Sequence, residues 1–231
     1  MWSWRIEKRI FLYLKVKSSI SPAAENFRPL HTKIILLEQE LQQLKNFLYH
    51  LYPLEEYIWQ DYARHWQAVT YRRKTILTAA GETETYIYFV LEGIQRAYYL
   101  GPDGRQEATV VFTYPPSFSG VADSFLTQTP SNFYMETLTA SRLLRLSRQR
   151  YDELIERHPS LKDFTFRMTA EILRGVLLRQ AEIQSFTAEE KFRAFLTRSP
   201  HMLNLVPHKY LASYLSIDPS TFSRLLASIK L

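Results

Sequence analysis

HKYLASYLSIDPSTFSRLLASIKL, residues 208–231, reads as two short amphipathic helices around a tight break. Leu211, Ala212 and Leu215 share one face of the first. Phe222, Leu225, Leu226 and Ile229 recur at i, i+3, i+4 and i+7 in the second, the period of a helix with one apolar face. Between them stands Ser216-Ile217-Asp218-Pro219. Asp218 suits an N-cap, and Pro219 suits the first helical position, where a missing N–H costs nothing. Ile217 can plug the turn into the core beneath both helices, and the small Ala212 lets their backbones cross closely. This is the plan of a helix-turn-helix.

The outward face of the second helix carries Ser220, Thr221, Ser223 and Arg224. No carboxylate stands among them to repel phosphate. Arg can grip guanine bidentately or hold a phosphate, and Ser and Thr can meet base edges or phosphate. Lys209, at the start of the first helix, adds a cation. These five residues are the candidate contacts to double-stranded DNA. An ordinary helical hairpin with a polar solvent face is the plainer reading of the same pattern.

The net charge of +6 suits a polyanionic partner without requiring one. From Ser185 onward, Lys191, Arg193, Arg198, Lys209, Arg224 and Lys230 outnumber Glu189, Glu190 and Asp218, so this end is itself basic. There is no cysteine, which excludes a catalytic thiol or a cysteine-held iron–sulfur cluster. No eighteen-residue apolar run occurs, and the basic N-terminus is interrupted by Lys15 and Lys17 with no small-residue cleavage site after it. The expectation is a cytoplasmic protein with no membrane partner.

Residues 1–29 match nothing that follows; they read as an N-terminal extension, either a short strand or helix followed by the breaker Ser21-Pro22 or a loosely ordered segment. Ile34, Leu37, Leu41, Leu44 and Leu48 predict an amphipathic helix, and Glu55 to Trp66 a second. From about Ala68 to Ser147 the texture changes. Five of the six glycines lie between positions 81 and 120, separating short β-rich runs at Lys74–Leu77, Tyr86–Leu91, Gln95–Leu100 and Glu107–Phe112. Gly101-Pro102-Asp103-Gly104 is a hairpin signal. Strands at Tyr134–Leu138 and Arg142–Leu146 complete a sandwich or jelly roll. The aromatic residues are read as its core rather than as a stacking surface for single-stranded nucleic acid. Tyr151 to His158 is a short helix.

Pro159 to Gln184 is one long helix, with Leu161, Phe164, Met168, Ile172, Gly175, Leu178 and Ala181 stepping by three or four. Its apolar stripe calls for a parallel helix from a second subunit, with Phe164, Met168, Ile172, Gly175 and Leu178 as the seam. Packing onto its own roll is the alternative. Thr187 with Glu190 three residues on is a capping box opening the next helix. The expected class is α+β: an extension (1–29), N-terminal helices with a jelly-roll-like β-roll (30–157), a dimerisation helix (158–184) and a terminal helix-turn-helix domain (185–231).

This order of parts resembles the Crp/Fnr family of bacterial transcription regulators, over about Leu30 to Leu231. The matching stretches are AAGETETYIYFVLEGIQRAYYLGPDGRQEAT, EEKFRAFLTRSPHMLNLVP and LASYLSIDPSTFSRL. The resemblance implies a cyclic-nucleotide-binding-type roll, a homodimer along the long helix, a palindromic DNA operator, and RNA polymerase as a partner at promoters. It places Ser220, Thr221, Ser223 and Arg224 at base- and phosphate-contacting positions. Two departures stand out. Ser216 takes a turn position that is usually glycine, and the sequence reaches Leu231 without the C-terminal β-wing of many relatives.

The family's nucleotide-binding members hold a cyclic phosphate with an arginine and the ribose with a glutamate. The matching cassette runs from Phe118-Ser119-Gly120 to Ser131-Asn132-Phe133. Gly120 is in place, but Val121 stands where the glutamate belongs and Ser131 or Asn132 where the arginine belongs. Cyclic AMP and cyclic GMP are therefore not expected as ligands, and no cofactor is implied. Another small-molecule effector would line its pocket with Phe118, Gly120, Val121, Ser131, Asn132 and Tyr134. The six histidines fall in separate elements without metal-ligand spacing, and neither a P-loop nor a nucleophile elbow occurs. An enzyme is not expected. The remaining rival is a ligand-binding roll that acts through protein contacts with a degenerate helix-turn-helix.

Overall fold

The computed structural model describes residues 30–228. The expectation for residues 1–29 lies outside them, as does Ile229. Two helices lead, α1 (Leu30–Leu51) and α2 (Glu56–Ala63). Eight strands follow: β1 (Gln67–Tyr71), β2 (Ile76–Thr78), β3 (Tyr86–Glu92), β4 (Gln95–Leu100), β5 (Glu107–Thr113), β6 (Ser117–Ser119), β7 (Tyr134–Thr137) and β8 (Ser141–Ser147), with α3 (Ala122–Thr127) between β6 and β7. Then come α4 (Arg148–Arg157), α5 (Ser160–Ser185), α6 (Ala188–Arg198), α7 (Met202–Leu205), α8 (His208–Leu215) and α9 (Pro219–Ser228).

The strands form two antiparallel sheets, ordered β1-β8-β3-β6 and β2-β7-β4-β5, facing each other as a roll. Side-chain alternation assigns the faces. On β3 and β8, Phe89, Leu91, Leu144 and Leu146 point out to the N-terminal helices, where Leu44, Leu48, Ile58, Trp59 and Trp66 cover them. Tyr88, Val90 and Leu143 point into the roll. They face Ala97, Met135 and Val121 from the opposite side. Both faces of the first sheet are covered, which is why β3 reads as an unbroken apolar run. Gly101 N–H donates to Gln106 O at 2.7 Å, closing the β4–β5 hairpin at the stretch that signals it. Gly93 has φ +90°, and a Cβ there would run into the backbone of Ala140 and Ser141. Glycine is required at this corner.

The long helix divides in two. Leu161 and Phe164 are buried against the N-terminal helices, with Met168 packed beside them. Beyond Thr169 almost every residue is exposed, including Ile172, Leu173, Val176, Leu177 and Leu178. The expectation of a seam starting at Phe164 is corrected: Phe164 and Met168 face their own chain because α1 reaches the first turns of α5. Ile172, Gly175 and Leu178 remain uncovered. Thr187 and Glu190 form the expected capping box, with Thr187 N–H donating to the Glu190 carboxylate at 2.8 Å.

Candidate nucleic-acid interface and the roll interior

Helices α8 and α9 cross around Leu211, Ala212, Leu215 and Phe222, all completely buried. The Phe222 ring meets Phe192 of α6 edge-on at 5.1 Å. Ser216 ends α8 in the left-handed conformation (φ 51°, ψ 49°), so serine takes the strained position that the sequence marks. Ile217 N–H then bonds back to Ala212 O at 3.1 Å. Asp218 caps α9: its carboxylate accepts from Ser220 N–H at 2.7 Å and from the Ser220 hydroxyl at 2.5 Å. Those bonds hold its carboxyl below the usual aspartate range.

This geometry turns Ser220, Ser223 and Arg224 fully outward, with Thr221 half-buried beside them. Ser223 donates to Pro219 O at 3.0 Å, so its oxygen faces outward as an acceptor. Among the described residues Arg224 makes no ion pair. Lys209 sits apart from this face. Its ammonium lies 4.8 Å from the Tyr210 ring, on the side of α8 that meets the roll. There it helps hold the Glu107 carboxyl low, an effect led by the hydrogen bond from Arg96.

The contact between the roll and α8 is built on residues that sequence patterns do not reveal. Arg96 on β4 is almost wholly buried. It pairs with Glu136 at 2.5 Å and Glu107 at 2.7 Å, and its guanidinium lies 3.6 Å from the centre of the Tyr210 ring. Lys74 donates to the Tyr210 hydroxyl at 3.0 Å. Thr109 N–H donates to the Ser213 hydroxyl at 2.9 Å. Phe112, Ile94 and Leu138 of the roll join Phe195, Met202 and Leu215 in one apolar cluster.

Inside the roll, Gly120 (φ +114°) and Val121 lead into α3 as the cassette reading expects. They do not stand alone. Glu84, nearly inaccessible to solvent, projects its carboxylate there. It accepts from the Thr78 hydroxyl at 2.5 Å, from Val121 N–H at 3.2 Å and from Tyr86 N–H at 3.2 Å. Burial, only partly offset by these bonds, pushes its carboxyl above the usual glutamate range. Ser131 is buried and closes on itself, donating to Phe133 O at 2.8 Å.

Three expected lining residues are placed elsewhere. Phe118 points out of the roll against Phe47, Trp66 and Phe89. Its neighbours Ser117 and Ser119 take the inward parity of β6. Tyr134 lies on the outer face of the second sheet, stacked on Tyr98 at 5.1 Å. Asn132 is exposed to solvent. The cassette match gives positions but not strand parity, and parity decides which side chains meet. Sequence spacing does not reveal Glu84, because its partners Ser124 and Val121 lie about forty positions away. Among the described residues, no group of acidic, histidine or cysteine side chains could hold a metal ion, and no helix is long and apolar enough to cross a membrane.

Residues 68–158 match the family described as cyclic nucleotide-binding domain. The transcriptional activatory protein AadR of Rhodopseudomonas palustris is 29% identical over 143 residues, which are 59% of this chain and 55% of that protein. The chain thus spans just over half the length of this curated relative. Among solved structures, FixK2 of Bradyrhizobium japonicum aligns with a TM-score of 0.62 at 21% identity, covering 70% of this chain and 83% of that one. CLP of Xanthomonas campestris, described as a c-di-GMP-responsive global regulator, aligns at 0.57 and 15% identity, covering 75% and 90%. A regulator described as of the Crp/Fnr family, from Eubacterium rectale, aligns at 0.60 and 15% identity, covering 75% and 82%. AadR, CLP and the Eubacterium rectale protein are described as regulators, and the likeness to the solved structures establishes the fold.

Proposed function

We propose that this chain, which carries a cyclic nucleotide-binding domain at residues 68–158 and the fold of the Crp/Fnr regulators, is a sequence-specific DNA-binding transcription regulator that works as a homodimer. The observation that carries the reading is the outward face of α9. A capped, close-packed helix-turn-helix presents Ser220, Thr221, Ser223 and Arg224 with no ion pair engaging the guanidinium. A degenerate module acting only through protein contacts would have no need of that face. The exposed stretch of α5 from Ile172 to Leu178 supplies the dimer seam. Two copies related by a two-fold axis would read a palindrome, and RNA polymerase would be the partner at a promoter. Such work places the chain in the cytoplasm.

The roll is read as an altered effector pocket that takes neither cyclic AMP nor cyclic GMP. In support, Val121, Ser131 and Asn132 bring no charge to the cassette, and Glu84 already engages the Val121 amide. An incoming phosphate would meet a carboxylate instead of an arginine. Selection of bound duplexes from a random DNA pool tests the main reading. Enrichment of a two-fold palindrome is expected. Binding without any enriched sequence would overturn it.

A further inference from the structure

At one end of the first sheet, where β3 starts and β8 ends, Arg64, His65, Gln67, Tyr86, Ser147 and Arg150 line a cleft of about 280 Å³. Four elements meet there: the end of α2, β1, the start of β3, and the junction of β8 with α4. No carboxylate lines the cleft. Each arginine is paired with an acid, and Asp61 also lies 3.6 Å from His65. Arg64 pairs with Asp61, and Arg150 pairs with Glu153 at 2.6 Å.

The neutral groups are oriented as donors. The Gln67 side-chain oxygen accepts from Arg145 at 3.3 and 3.4 Å, which leaves its NH₂ as the available donor. The Ser147 oxygen accepts from Arg150 N–H at 3.3 Å as the cap of α4, which leaves its O–H to donate. Arg145 also lies over the Tyr86 ring at 4.6 Å, at the edge of the cleft. A concave wall with two guanidinium forks and several donors, and no lining carboxylate, is complementary to an anion with several acceptor oxygens. Phosphate offers three terminal oxygens as a monoester, and 280 Å³ is room for a small molecule rather than a polymer.

We propose that this cleft is a binding site for a small phosphate monoester, distinct from the cassette inside the roll. Arg64 and Arg150 would clamp the phosphate, with Gln67 and Ser147 donating to the remaining oxygens. His65 is a built-in reporter. Its imidazole is held below the ordinary histidine range, first by burial, then by the Arg64, Arg150 and Arg157 charges, with Asp61 opposing them. A bound dianion offsets the cations and must raise it.

The test is nuclear magnetic resonance titration of the His65 imidazole in the full chain, assigned by loss of its signal in His65→Gln. Inorganic phosphate and methyl phosphate are added at constant ionic strength. The expected result is an upward shift on the order of half a pH unit, well inside the roughly one-unit spread that neighbours impose in folded proteins. In Arg64→Gln/Arg150→Gln, with unchanged circular dichroism, the phosphate-free value rises and the response to phosphate disappears. An unresponsive His65 up to millimolar phosphate would overturn the proposal, as would an equal response in the double variant. A response to duplex DNA alone, with none to either small phosphate, would also overturn it by assigning the cleft to the DNA backbone.

Discussion

Arg96 of the roll and Tyr210 of α8 are stacked face to charge, with the guanidinium 3.6 Å from the ring centre. The arginine is simultaneously bonded to Glu136 and Glu107. A planar cation can do both, because its edge donates while its face stacks. The position of α8, and with it that of α9, is thereby tied to the second sheet of the roll.

Arg96→Met should be costly. Among the described residues it leaves buried Glu136 with only the more distant Lys74 ammonium as a cationic partner, at 3.4 Å. Removing one partner of a buried pair costs about 3 kcal/mol or more. For a chain of this size that corresponds to a fall in melting temperature of roughly 6–12 °C. Adding Glu136→Gln in the same chain should recover part of the loss, because the stranded charge goes. Calorimetry of both variants checks this, and a double variant no better than the single would show that the charge is not the cause.

Arg224→Ala should abolish specific operator binding and leave the fold untouched, since the side chain is exposed on α9. A base-reading arginine contributes about 1–3 kcal/mol of discrimination. Gel shifts with a selected palindrome, beside circular dichroism, give the answer. Unchanged affinity would remove Arg224 from the interface.

Ile172→Glu or Leu178→Glu should convert a dimer to folded monomers at micromolar concentration, because both side chains are exposed within one chain. Phe164→Glu should behave differently. It places an unpaired carboxylate under α1, which costs several kcal/mol, and should unfold the chain rather than dissociate it. Light scattering and thermal melts separate the two outcomes. A monomeric parent protein would refute the seam.

Glu84 predicts a pH dependence. Its folded-state value is raised by burial above the ordinary 4.5. The folded chain therefore keeps a proton that the unfolded chain gives up. The stabilisation is whole below about pH 4.5 and is lost as pH rises through the folded value. Glu84→Gln has no proton to release, so its urea midpoint should fall less than that of the parent over this interval. Parallel midpoints for the two proteins from acid to neutral pH would contradict the assignment.

Calorimetric titration with cyclic AMP and cyclic GMP should show no binding in the low micromolar range. A charge-assisted bond contributes about 1.5–3 kcal/mol, and each 1.4 kcal/mol is about tenfold. Losing the arginine and the ribose contact together thus weakens binding at least about a hundredfold. A low-micromolar dissociation constant would disprove the altered cassette.

The sequence by itself determined the elements whose signals are local. The Thr187–Glu190 capping box, the Asp218-Pro219 entry and the Gly101–Gly104 hairpin each depend on groups within a few residues, so their geometry follows from the chain's own order. The apolar periods of α1, α8 and α9 are local in the same sense. Some short elements were not legible. The strands Gln67–Tyr71 and Ser117–Ser119, and the six-residue α3, hold their shape only through partners far along the chain. Direction was not legible either. Phe118 and Tyr134 are expected pocket-lining residues, yet strand parity turns both away from the roll interior. Phe164 and Ile172 share one periodic stripe, but only the packing of α1 decides that the first is covered and the second is not. The burial of Glu84 and Arg96 is likewise a property of the assembled sheets. A charged side chain is buried only where distant residues supply its hydrogen bonds, and those neighbours exist only once the tertiary structure has formed.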